Sequence, residues 1–422
     1  MRIRPYPRPR THRAMARPSR RQRGVMLVLT LWLAAVLAVI AYSLAYEVRL
    51  NAKMSAMASN RLQARAIARA GLARAVIDLK NDQLLTHGYF QGFLVDTRED
   101  LWAQSDNKTE VEWGEDGSYT VRIHDEESRI NINRLPVHAR QMLEHLLTEY
   151  FRVRPEEAQL IVDGIIDYRD ADLTPLSGMG GSPREGAQNA EIQYYTRLGW
   201  RRYGSLLPAN WRFRPKNDRF MHLEELLEIP GITRQMLYGD PEASPLDRFN
   251  REPAEMIRRP ALVDLLTVHS SGALNINTCS APVLEALIVS TVGADADVRG
   301  LVREILDYRE RRHTYNAMDC YGFAHVNQLE EVGIDRQLLV RLNTMSQIRV
   351  NSEVFTIVAR GTYRGVTETF KAQVSCSSDV FPIRENIPLS RGRRGMRHFG
   401  FLKNQPNMKI DPAIRVRQFH EL

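Results

Sequence analysis

The chain has 422 residues, 43% hydrophobic and 26% charged, a composition that excludes a largely disordered protein and leaves room for two or three domains. Its net charge of +8 sits at the ends: nine Arg and no acid precede Gly24, and Arg384–Leu422 carries nine basic against three acidic residues. Taking those ends from the total leaves about −7 on residues 25–383, which argues against a basic nucleic-acid-binding body.

The stretch from Gly24 to Tyr46 holds no charged residue. At roughly 1.5 Å per helical residue it is long enough to cross a hydrocarbon core of about 30 Å. The Arg cluster before it predicts a cytoplasmic N-terminus, with everything from Glu47 onward on the far side. Asn60–Lys80 is rich in helix formers, and Leu62, Ala66, Ala70, Ala73 and Ile77 recur at helical steps. One long helix is predicted, apolar at its start and amphipathic later, with those five residues as its buried face. Two alternating segments, Thr109–Trp113 and Ser118–Asp125, then flank the turn Gly114–Gly117 and predict a hairpin.

The middle of the chain repeats itself. Arg129–Asn133 (RININ) is echoed by Ala273–Asn277 (ALNIN), Ile161–Arg169 (IVDGIIDYR) by Leu301–Arg309 (LVREILDYR), and Leu223–Ile232 (LEELLEIPGI) by Val326–Ile334 (VNQLEEVGI). Three phrases in one order predict a tandem helical duplication. The Asn residues read as capping and turn groups. The copies part after Tyr-Arg, where the first carries about fifty residues, Asp170–Arg219, and the second only His313–Gly322. An insertion of this length is where function is sought. Beyond it, Glu353–Gly361 and Gly365–Cys376 alternate about a turn and predict a second hairpin. Pro382–Leu422 shows no sustained periodicity and predicts a mobile basic tail.

Motifs for catalysis are missing: there is no HExxH, GxSxG or GxxxxGK[ST]. Leu227–Ile232 resembles a helix-hairpin-helix turn, whose backbone N–H groups can hold a phosphate. Thr233 and Asp335 stand where DNA-binding versions place a second Gly. A structural hairpin is therefore preferred over a membrane-anchored DNA-binding protein, which stays as the alternative. In the insertion, Asp170 and Asp172 set two hard oxygen ligands close together, suited to Ca²⁺. Solvated acids at a helix end are the competing reading. Of Cys279, Cys320 and Cys376, the first two form the preferred disulfide pair if the body lies in an oxidising compartment, with three buried thiols as the alternative.

The phrases RGVMLVL, RININ, IIDYRD, NAEIQYY, FRPKNDRFMHLEELLEIPGI and LNINT, in that order over residues 20–378, resemble the minor pseudopilin K family of type II secretion, also called general secretion pathway protein K. The resemblance implies an α+β fold: a long N-terminal pilin-like helix packed on a small antiparallel sheet, with a large duplicated helical domain inserted between strands. It divides the chain into a basic prepilin leader (1–24), a transmembrane part (25–46), amphipathic helix and first strands (47–128), the insert (129–344), last strands (345–380) and tail (381–422). It implies cleavage between Gly24 and Val25 by a prepilin peptidase, N-methylation of Val25, and anchoring in inner-membrane lipid with the main body periplasmic. It implies a non-enzymatic tip subunit of the pseudopilus, partnered by minor pseudopilins I and J and not by nucleic acid. It also implies calcium in the inserted region and adds Glu191 as an acidic ligand. Most pilins carry Glu at mature position 5, where this chain has Leu29, a departure that suits a subunit with nothing above it.

Overall fold

The computed structural model describes residues 20–89, 95–104, 110–135, 140–171, 175–176, 190–204, 210–240, 260–293, 297–315, 318–346, 348–376 and 414–421. The chain opens with helix α1, Arg20–Tyr89. From Gly24 onward it is long and apolar enough to cross a membrane. Residues up to Leu62 form one unit and Gln63–Leu422 a second. In the first unit the large apolar side chains from Val25 to Tyr46 are exposed, except for the half-buried Val36.

In the second unit the later part of α1 lies on a five-stranded antiparallel sheet. Its strands are β1 Val111–Trp113, β2 Gly117–Asp125, β9 Val354–Tyr363, β10 Val366–Cys376 and β11 Ile414–Glu421, side by side in that order. Both predicted hairpins are present, and the second turns through Arg364 and Gly365 at φ 47° and 77°. The buried face of α1 differs from the predicted one. Ala64, Ile67, Ala68, Ala75 and Leu79 are buried, whereas Leu62 and Ile77 are exposed. Small residues win this face because helix and sheet approach closely: a Cβ on Gly361 of β9 would collide with the Ala64 carbonyl and the Ala68 nitrogen. Ala75 and Leu79 join Trp102, Ile123, Phe355, Ile357, Val374 and Cys376 in a small core. Trp102 belongs to the short helix α2, Leu101–Gln104.

The tail also departs from expectation at its end, where Ile414–Glu421 pairs with β10 from Cys376 to Phe370. Residues 381–413 and 422 lie outside the described residues.

Strands β2 and β9 are direct neighbours, from Gly117 opposite Tyr363 to Asp125 opposite Phe355. Everything from residue 126 to 353 is therefore inserted between two adjacent strands. The exit is clamped by three buried acids on a 3₁₀ turn, Glu126–Ser128, and its cap Asp125. Asp125 accepts from Ser352 Oγ at 2.7 Å and from Thr278 Oγ1 at 2.5 Å; Glu127 accepts from Ser271 N and Val354 N at 3.0 Å each. Glu126 accepts from Thr356 Oγ1 and Thr267 Oγ1. One acidic turn thus ties sheet and insert together.

The insert has its own, larger core. Its first half runs β3 Ile130–Asn131, α3 Arg140–Glu149, α4 Pro155–Arg169, α5 Ala190–Tyr203, a 3₁₀ turn Leu223–Glu228, α6 Arg234–Tyr238, α7 Leu262–Leu265 and β4 Leu266–Thr267. The second half runs β5 Leu274–Asn275, α8 Ala281–Val292, α9 Val298–Glu310, hairpin β6 Arg312–Tyr315 with β7 Met318–Tyr321, a 3₁₀ turn Val326–Val332, α10 Arg336–Ser346 and β8 Ile348–Arg349. Each half closes by a two-residue parallel bridge, β3 with β4 and β5 with β8.

The duplication holds bond by bond. Asn131 Oδ1 accepts from Asn133 N at 2.8 Å, and Asn275 Oδ1 from Asn277 N at 3.0 Å. Asn133 brackets Phe220, donating to its carbonyl at 2.8 Å and accepting from its N–H at 2.8 Å; Asn277 treats Phe323 alike at 2.9 and 2.8 Å. Tyr168 stacks on Phe220 at 4.8 Å between centroids and Tyr308 on Phe323 at 4.4 Å. Arg169 and Arg309 both donate to backbone carbonyls in or just after the Asn phrase. These Asn are structural, because their amides satisfy backbone groups that folding buries wholly or in part.

Candidate metal centre

The two Tyr-Arg phrases end α4 and α9, so Asp167 and Asp307 occupy matching positions. Only the first is enclosed: Asp167 is 0% exposed, whereas Asp307 is exposed. The cover comes from the insertion. Its helix α5 buries Glu191 and Tyr195 completely and leaves Gln193 and Arg197 exposed, the four-residue step of a helix with one covered face. Asp170 stands after α4 as its C-cap, its N–H bonded to Ile166 O at 3.1 Å. The i, i+3 spacing puts the Asp167 and Asp170 carboxylates on one side of the last turn.

One oxygen from each of Asp167, Asp170 and Glu191 lies within 4.8 Å of the other two. Asp167 Oδ2 accepts from the Tyr195 hydroxyl at 2.7 Å and from Leu176 N at 2.9 Å. Its Oδ1 is buried and has no hydrogen bond among the described residues. Burial pushes the Asp167 carboxyl up to about 7; the bonds from Tyr195 and Leu176 oppose the rise, and the charges of Asp170 and Asp163 add to it. Acids enclosed this closely repel unless a proton or a cation comes between them. Hard carboxylate oxygens suit Ca²⁺, which takes six to eight oxygen ligands in irregular geometry. The donor set and the bare Asp167 oxygen both fit such an ion.

Asp170 and Glu191 are therefore brought together, while Asp172 lies outside the described residues. Asp167 is a ligand candidate that sequence reasoning misses, because the repeat phrase gives it a framework role. The signal that finds it is its place three residues before Asp170 on one helix.

The other sequence candidates fall elsewhere. Gly24 and Val25 lie within α1, Val25 exposed. The expected Cys279–Cys320 pair is not joined by a disulfide in the structure, and neither is Cys376. Cys279 is enclosed, its Sγ 3.9 Å from Glu127 O, and burial pushes its thiol up to about 12. Cys320 stands on β7 opposite His313. At the hairpins, Thr233 and Asp335 cap α6 and α10, accepting from Met236 N at 3.2 Å and Leu338 N at 2.7 Å.

No family model and no curated protein matches the chain. Among solved structures it is similar to a chain of the GspK–GspI–GspJ complex of the type 2 secretion system of enterotoxigenic Escherichia coli, at 14% sequence identity and a TM-score of 0.49, over 88% of this chain and 99% of that one.

Proposed function

We propose that the chain is a K-type minor pseudopilin, a structural rather than catalytic subunit at the tip of a type II secretion pseudopilus. The observation that carries this reading is the place of the repeat pair: residues 126–353 stand between two hydrogen-bonded neighbours of a sheet that also carries the later part of α1. A helix with an apolar start, laid on a small antiparallel sheet, is a design for stacking subunits through their helices. A helical body of this size, planted in the middle of that sheet, obstructs a second subunit head above it. Leu29 agrees, since a subunit with no neighbour above has no ammonium to neutralise inside the membrane.

In this reading a prepilin peptidase cuts between Gly24 and Val25, α1 anchors the mature chain in inner-membrane lipid with its N-terminus cytoplasmic, and the periplasmic body assembles with minor pseudopilins I and J to support export of folded proteins. Calcium held by Asp167, Asp170 and Glu191 pins α5 to the end of α4 and so fixes the insertion to the repeat. The DNA-binding alternative gains nothing from residues 233 and 335, which cap helices, and Asp335 brings a negative charge to the turn.

Purification of the full chain from membranes and mass spectrometry of the product test the assignment. Val25 is expected as the N-terminus, with I-type and J-type pseudopilins co-purifying and about one copy of this chain per filament. A copy number that grew with filament length would overturn the tip placement.

A further inference from the structure

A second set of acids lies outside the insert, where the far end of α1 meets the loop leading to α2. Asp82 comes from α1, Asp96 from the loop and Asp100 from the residue preceding α2. One carboxylate oxygen from each lies within 4.8 Å of the other two. Asp82 and Asp96 are buried, at 6% and 4% exposure. We propose that these three carboxylates form a second calcium site, separate from the one in the insert, that rivets the end of α1 to the body.

Two of the three are held in place by hydrogen-bond donors. Asp100 accepts from Thr97 N at 2.6 Å and from Thr97 Oγ1 at 2.9 Å, and Asp96 Oδ2 accepts from Ser352 N at 2.7 Å. Hydrogen bonds of this kind orient carboxylates in metal sites. Asp82 differs. It is more than nine-tenths enclosed, its carboxylate is aimed at the other two, and no described residue donates a hydrogen bond to it. The neighbouring charge it feels is that of Asp100, also negative. A carboxylate in that position is costly unless a cation meets it. Burial and mutual repulsion raise Asp82 to about 8, which states the same cost in protons. All-oxygen, all-carboxylate donors select a hard cation, and Ca²⁺, which accepts variable oxygen geometry, suits them better than Mg²⁺ with its strict octahedron.

The position gives the ion a mechanical role. The Asp96 carbonyl accepts from Asn275 Nδ2 at 3.1 Å, and the Asp96 N–H donates to Val350 O at 2.9 Å. The loop that would hold the ion is thus bonded to the entry and the exit of the second repeat. A cation here joins α1, sheet and insert at one point. Calcium would then bear on both the anchoring helix and the bulky domain, through a site the repeats do not share.

The test counts ions on the full chain in detergent, by equilibrium dialysis with radioactive calcium, and tracks terbium luminescence excited through Trp102, whose indole lies beside Asp100. The wild type is expected to hold two ions, Asp82→Asn one, Asp167→Asn one, and the double variant none. Asp82→Asn should weaken the affected step by at least about tenfold and remove the Trp-sensitised terbium signal. Because Asp82 receives no hydrogen bond from a described residue, its Asn variant should melt in chelator no lower than the wild type does in chelator. Two ions retained by Asp82→Asn at unchanged affinity would overturn the proposal, as would a single ion lost only with Asp167→Asn. A single ion lost only with Asp82→Asn would support this site and count against the one in the insert.

Discussion

The first and second repeats are built on one set of contacts, yet only the first has an enclosed acid at the end of its Tyr-Arg helix. The Asn bracket, the Tyr-on-Phe stack, the Arg to the carbonyls and the parallel bridge recur in both. The difference lies in the segment after Tyr-Arg. The second repeat uses its few residues for the β6–β7 hairpin and leaves Asp307 in water, whereas the first sends out α5, which returns Glu191 and Tyr195 over Asp167. An ordinary helix-end aspartate became a ligand candidate by being covered, not by being changed. The framework sets where an acid stands, and the insertion decides whether it needs a cation.

The framework half of this comparison predicts the largest effect. Asn277→Ala strips partners from the buried N–H and C=O of Phe323, at a cost of about 3 kcal/mol. Asn133→Ala does the same to Phe220, but Asn133 is half-buried and water can take its place, so about 2 kcal/mol is expected. Urea unfolding of the full chain measures both. Equal costs, or a larger one at Asn133, would break the picture of a drier second repeat.

Calcium separates the repeats next. An ion bound only by the folded chain adds about 2.7 kcal/mol when it stands at a hundred times its Kd. Chelation should therefore lower the melting temperature, and Asp167→Asn should remove the share owed to the insert. Asp307→Asn, at the matching but exposed position, should leave the calcium response as in the wild type. A calcium response that vanished equally with either variant would show that the insertion does not make the site.

The repeats and hairpins are legible in the sequence because each writes itself locally: three phrases recur, and alternation brackets two turns. The buried face of α1 is not. Alanines recur on more than one side of this helix, so the Leu62–Ala66–Ala70–Ala73–Ile77 stripe and the buried Ala64–Ile67–Ala68–Ala75–Leu79 stripe read alike, and the choice is made by close approach to the sheet, where the Tyr119 ring packs against Gly71. Two-residue bridges such as β3–β4 have too little length to show a period. Strand β11 is hidden behind a long aperiodic stretch, since pairing with β10 depends on residues 38 to 51 positions away. Asp170 is legible as an acid in an unusual insertion, and Glu191 only through the family resemblance. Asp167 is masked by its own repetition, because a residue found in both copies reads as framework until the fold shows one copy covered. The cluster at Asp82, Asp96 and Asp100 spans a helix end and a loop, and no spacing rule joins them.

The smallest effect belongs to the helix caps, where the two repeats differ in chemistry at one position. Thr233 caps α6, five residues long, through a 3.2 Å bond to Met236 N; Asp335 caps α10, eleven residues long, through a 2.7 Å bond to Leu338 N. A charged acceptor at a shorter distance also meets the positive end of the longer helix. Asp335→Ala should therefore cost about 1 kcal/mol or slightly more, and Thr233→Ala somewhat less. Replacement by Gly at either position should cost only a few tenths of a kcal/mol, since Gly is tolerated at an N-cap. Those two Gly variants also restore the second glycine of a DNA-binding hairpin. If residues 233 and 335 serve only as caps, the double Gly variant should lose little stability and still show no salt-dependent retention on duplex DNA. Salt-sensitive binding that emerged in that variant would mean the hairpins retain a phosphate-holding geometry, which the caps alone had closed off.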